Sequence, residues 1–251
     1  MRLLCFGDSF AAESDISSEQ QLNGKPPSWC DLLSKRLVAS DLVVRGVRGT
    51  GPTELLHQLL TWNNWQQGDI VIMMFSSVGR FCISPYTPGL HFQHYMGDSV
   101  GVFDADKSLQ QYILKEKTMQ ETRGAEDLQL INLTSGKWQR LLRAYDMYEA
   151  YLNNEYRKDI THRALLLALE GIAANNTQAK FYLKYCFDSE IEQHNKFGIK
   201  LNYIKLLAGS AWSMTDEPSG PEGHPAENHT NHFTASTVDN FVEYLYNEVN
   251  T

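Results

Sequence analysis

The run Ile70–Phe75, IVIMMF, constrains the fold more than any other stretch of the chain. Six apolar residues are too few for an ordinary helix, and Gly68-Asp69 before them and Ser76-Ser77 after them mark turns. A strand with no polar face is covered on both sides, as in a parallel sheet flanked by helices. Leu3-Leu4-Cys5-Phe6 and 41–45 (DLVVR) read as two earlier strands, and 179–187 (AKFYLKYCF) as an alternating fourth. Helical spacing fills the intervals. Trp29, Leu32, Leu33, Leu37 and Val38 give a helix over 27–39 with Pro27 in its first turn, and Leu55, Leu56, Leu59 and Leu60 give one over 53–62. Leu165, Leu166, Leu167 and Leu169 predict a buried helix over 159–174, and Val238, Phe241, Val242 and Leu245 predict a closing helix over 234–247. The segment 199–207 reads as a fifth strand or a short helix. Strands alternating with helices predict an α/β fold, a doubly wound and mostly parallel sheet in three layers.

The regular pattern breaks after the third strand. From 82 to about 160 the chain carries scattered prolines and aromatics, a polar stretch and then helical spacing, so a long helical and loop insertion is expected inside one domain spanning 1–251. The aromatic stripe Trp138, Leu141, Leu142, Tyr145, Tyr148 and Tyr151 reads as core rather than as a sugar platform. His91 and His94 have i, i+3 spacing, yet no cysteine or carboxylate completes a ligand set, so no metal and no other cofactor is expected. A net charge of -8 without a dense Lys/Arg cluster argues against nucleic acid as a partner. Cys5, Cys30, Cys82 and Cys186 are widely spaced with no CxxC pair, which predicts reduced thiols and cytoplasmic synthesis. Neither a signal peptide nor a run of ~20 apolar residues is legible, so no membrane span is expected. The final site of action is not written in the sequence, and a homo-oligomer is compatible with it.

The chemistry-bearing residues fall at strand ends. Gly7-Asp8-Ser9 ends the first apolar run at a sharp turn, and in an open α/β sheet ligands bind outside the carboxyl ends of the strands. A serine there faces a crevice, although Asp8 and Ser9 would serve equally well to shape a turn. Gly46 to Gly51 holds three glycines in six residues after strand two, Ser76-Ser77-Val78-Gly79-Arg80 follows strand three, and His224 lies in a turn-rich loop before the last helix. Acyl transfer needs such a set. A hydroxyl is a weak nucleophile until a base takes its proton, an acid orients the base, and amides face the developing oxyanion.

Gly7-Asp8-Ser9-Phe10, Gly49 within GVRGTG, and Gly223-His224-Pro225 together resemble the nucleophile, oxyanion-hole glycine and histidine-proline blocks of the SGNH, or GDSL-type, hydrolases. The resemblance runs from end to end in motif order, apart from the middle insertion, and implies a flavodoxin-like fold. It implies Ser9 as nucleophile, His224 as general base, and the amides of Ser9 and Gly49 as oxyanion donors. Two positions depart from the pattern. Val78 stands where the family's GxND block has asparagine, with Ser76, Ser77 or Arg80 as stand-in donors, and Arg80 would suit an acidic substrate. Pro221 stands where the acid is usual, so Glu222 or Asp216 is left to orient His224. The expected activity is a serine esterase removing small acyl groups, such as acetyl from a carbohydrate. The alternative is an SGNH-like fold kept as a binding or structural module, with 82–132 making the contacts. A nucleotide binder built on Gly46 to Gly51 is disfavoured, because neither a P-loop lysine nor GxGxxG spacing is present.

Overall fold

The computed structural model describes residues 1–12, 27–46, 51–78, 155–215, 233 and 235–250. Among these residues five strands form one parallel sheet: β1 (Arg2–Ala12), β2 (Asp41–Gly46), β3 (Ile70–Phe75), β4 (Lys180–Tyr185) and β5 (Ile204–Ser210), in the order β2-β1-β3-β4-β5. The helices are α1 (Trp29–Arg36), α2 (Pro52–Thr61), α3 (Glu155–Asn175), α4 (Asp188–Phe197) and α5 (Ala235–Asn250), and a short 3-10 turn, Trp212–Met214, follows β5.

The order follows from two opposite winding directions. From β1 the chain crosses outward to β2, then returns past β1 to β3 and continues to β5 on the far side. Right-handed crossovers therefore place helices on both faces of the sheet. One face of the sheet packs Leu3, Cys5, Ile72 and Met74 against Trp29 and Leu33 of α1 and Phe241 and Leu245 of α5. The other packs Leu4, Phe6, Val71 and Met73 against Leu55 and Leu59 of α2 and Leu166 and Leu169 of α3. All six β3 residues are buried, as their unbroken apolar run predicts. The α/β fold, helices on both sides of a parallel sheet, is the expected one.

Several expected details change. Pro27 lies outside α1, because Ser28 takes the cap position and accepts from the Cys30 amide at 3.2 Å. Val38, past the end of that helix at φ 52, is 85% exposed. Leu60 and Leu167 are also exposed, since each falls on the solvent side of a helix whose neighbouring leucines fill the core stripe. Internal β4 is buried at every residue after Lys180 instead of alternating. Asp188 begins α4, a helix absent from the sequence reading, and Gly198 closes it at φ 57 in the left-handed region. Cys5, Cys30 and Cys186 are free thiols, all buried. The expected helix over the aromatic stripe, His91 and His94, Cys82 and nearly all of the 82–160 insertion lie outside the described residues.

Candidate active site at the carboxyl end of the sheet

β1 does not stop at Gly7-Asp8-Ser9 as the turn signal suggested. It continues to Ala12, and both Gly7 and Ala12 register with Gly46, so residues 8–11 bulge out of the ladder with the Ser9 backbone among them. Gly7 makes the bulge with φ +148, and a Cβ there would stand 2.6 Å from Met74 Cβ and 2.7 Å from the Met74 carbonyl oxygen. Only glycine fits so close an approach of β1 to β3. The Gln58 side chain of α2 satisfies the backbone at this point. Its Oε1 accepts from the Gly7 amide at 3.0 Å and its Nε2 donates to the Gly7 carbonyl at 3.2 Å.

The far side of the bulge is held as firmly. Asp8, 1% exposed, accepts from the Phe10 amide through Oδ1 at 3.0 Å, a local turn around Ser9. The Trp29 indole donates to the Phe10 carbonyl. The Phe10 ring meets Phe187, Trp212 and Phe233 edge-on at centroid distances of 5.8, 6.3 and 6.1 Å. Ser9 is thus flanked by anchored residues on both sides.

At the same end, β1 and β4 meet across the tip of β3. Neighbouring strands lie about 4.8 Å apart, and β1 and β4 are separated by β3. Even so, the Cys186 thiol donates to Asp8 Oδ1 at 3.6 Å. The Cys186 amide donates to the Phe75 carbonyl at 2.9 Å, which extends the β3 and β4 ladder by one bond. The first residue past β3 is Ser76, 1% exposed, and its Oγ has no hydrogen-bond partner among the described residues. Ser77 is half-buried. Val78 is buried in the apolar cluster that includes Phe6, Leu55 and Phe75. The position where the resemblance leads one to expect an asparagine therefore faces the core and carries no donor.

Two polar features escaped the sequence reading. On the α3 side, the Tyr185 hydroxyl lies 3.0 Å from His194 Nδ1 and 3.4 Å from His162 Nε2. Burial pushes the His162 pKa down to about 4 and lowers that of His194, so both imidazoles are neutral near pH 7, while burial raises the Tyr185 hydroxyl far above its ordinary value. On the α5 side, fully buried Lys184 donates to the Ala208 carbonyl and sits over the Tyr244 ring at 4.4 Å. Burial lowers its pKa to about 8. The strand parity of 179–187 pairs Lys184 with Cys186 and Tyr185 with Leu183, so the face of each was legible. Nothing in the sequence singled out His162 or His194.

Of the site residues read from the sequence, Asp8, Ser9, Ser76 and Ser77 come together at the carboxyl ends of adjacent strands β1 and β3. His224, Glu222, Asp216, Gly49 and Arg80 lie outside the described residues. Among the described residues no three His, Cys, Asp or Glu side chains are grouped to hold a metal ion, and no helix is long and apolar enough to cross a membrane.

No protein-family model matches the chain, and no curated protein matches it. Among solved structures, a carbohydrate esterase whose active site is described as having divergent catalytic and non-catalytic binding functions is similar at 11% identity and a TM-score of 0.48. The match covers 100% of this chain and 68% of that one. At that distance nothing about fold or chemistry passes from one to the other.

Proposed function

We propose that this chain is a serine ester hydrolase acting at the carboxyl ends of β1 and β3, with Ser9 as nucleophile and His224 as general base. The observation that carries the reading is the strand order. Winding reverses between β1 and β3, the pair whose carboxyl ends border the crevice in doubly wound sheets. Asp8-Ser9 ends the regular part of one strand and Ser76-Ser77 follows the other. The anchored bulge at 8–11 suits a nucleophile that has to be held still.

In this reading Ser9 Oγ adds to the ester carbonyl carbon while His224 takes its proton, and the carbonyl electron pair moves to oxygen, facing the amides of Ser9 and Gly49. Collapse expels the alcohol, which leaves with the proton from His224, and water repeats the sequence to release the acid. Glu222 or Asp216 orients His224. The substrates proposed are small acyl esters, with acetylated carbohydrate as the first class to try. Turnover of p-nitrophenyl acetate tests the reading: Ser9→Ala and His224→Ala are expected to lower kcat by at least about 10³-fold, and undiminished turnover in Ser9→Ala overturns it.

Burial of Val78 favours a second reading, an SGNH-like fold that binds acylated ligands without cleaving them. It predicts that the wild type binds an acetylated sugar while showing no turnover.

A further inference from the structure

We infer that Ser76 supplies the side-chain hydrogen bond to the substrate's acyl oxygen that Val78 cannot make; the inference rests on the esterase reading and assigns one donor of its oxyanion hole. Three observations lead to Ser76. Its hydroxyl is buried and has no partner among the described residues, whereas the polar groups on the adjoining strand ends are paired: Gln58 closes on Gly7, Asp8 on Phe10, and Cys186 on both Asp8 and Phe75. A hydroxyl left so carries a desolvation penalty with no return in the free protein, and such groups in native structures call for an explanation.

The second observation is place. Ser76 is the first residue past β3, between the Ser9 bulge of β1 on one side and Cys186 of β4 on the other. A donor there stands at the switch point, where the carbonyl of an ester attacked by Ser9 would lie. The third is a comparison of the described candidates, Arg80 lying outside them. Val78 packs into the apolar layer, and Ser77 already has an interaction of its own. Ser76 is the hydroxyl of the two that is uncommitted, so it can donate to an oxygen that gains charge without first giving up another bond.

The inference makes an unusual double demand on one substitution. Removing an unpartnered buried hydroxyl should leave the melting temperature unchanged or raise it, while removing an oxyanion donor should slow the reaction by about 10²–10³-fold. The experiment is phosphonylation of the full-length protein by a fluorophosphonate, in which Ser9 Oγ displaces fluoride from phosphorus and the phosphoryl oxygen occupies the oxyanion position. Labelling rates and melting temperatures are compared for wild type, Ser76→Ala and Ser76→Cys, the last keeping size and a weak donor. The expected result is a rate order of wild type, then Cys, then Ala, with no loss of melting temperature in Ala. Equal rates in wild type and Ser76→Ala overturn the inference and leave the esterase reading standing. A Ser76→Ala protein that melts lower and labels at an undiminished rate assigns Ser76 a structural role and overturns it too. Failure of the wild type to label overturns the esterase reading, and the inference falls with it.

Discussion

Single residues decide whether the bulge forms. At Gly7 a Cβ would overlap Met74 at 2.6 Å and hold φ +148, so Gly7→Ala combines overpacking with backbone strain. A loss of at least about 2 kcal/mol is expected in urea unfolding, with ester turnover lost even at temperatures where the protein stays folded. Gln58→Leu removes both bonds to the Gly7 backbone and should cost roughly 1–3 kcal/mol for each group left unpaired. His162 carries a pH signature. Its pKa in the fold, about 4, lies below the ordinary 6.5, so between those values the unfolded chain binds the extra proton. Stability is complete above pH 6.5 and falls as the pH drops toward 4, and buried His194 adds to the same slope. His162→Gln is expected to flatten the urea midpoint against pH over that window; an unchanged slope would contradict the buried neutral imidazole. At Lys184 the fold works against the charge. Tyr244 also donates to the Ala208 carbonyl, at 2.9 Å, so Lys184→Met leaves that oxygen paired and should keep or raise the urea midpoint at pH 7.

Elements were legible where burial and periodicity agree. β3 matches its apolar run residue for residue, because a strand buried on both faces announces itself without needing a partner. α4, DSEIEQHNKF, was silent. It packs only partly buried Ile191 against the apolar core, and its other buried side chains, Glu190 and His194, are polar, so hydrophobic spacing had nothing to detect. The bulge in β1 was half legible: Gly7-Asp8 signalled a turn, but pairing of Ala12 with Gly46 depends on a second strand that local sequence cannot see. At the opposite end, the starts of β1 and β3 are clamped by Arg2 and Asp69, with Nε to Oδ1 at 2.9 Å and Nη2 to Oδ2 at 2.8 Å. Asp69 is fully buried, so Asp69→Ala leaves Arg2 its bond to the Asn64 carbonyl but removes its ion-pair partner and should cost about 3–5 kcal/mol in urea unfolding. A smaller loss would mean that water reaches Arg2 readily.

Across the whole molecule, topology joins residues far apart in sequence. Asp8 and Cys186 lie 178 residues apart in sequence and touch across β3, which no motif spacing announces. Ser9, Ser76 and Ser77 were legible because strand ends in a doubly wound sheet share one edge, whatever their sequence separation. The unpartnered hydroxyl of Ser76 was not, since hydrogen-bond satisfaction belongs to the folded state alone. The central claim is that Ser9, in its anchored bulge, is an activated nucleophile. Its most direct test is intact-mass measurement after incubation with a fluorophosphonate, followed by peptide mapping of the adduct. The account predicts one adduct per chain, on Ser9, absent from Ser9→Ala. An unmodified wild type, or an adduct on another residue that persists in Ser9→Ala, would contradict it.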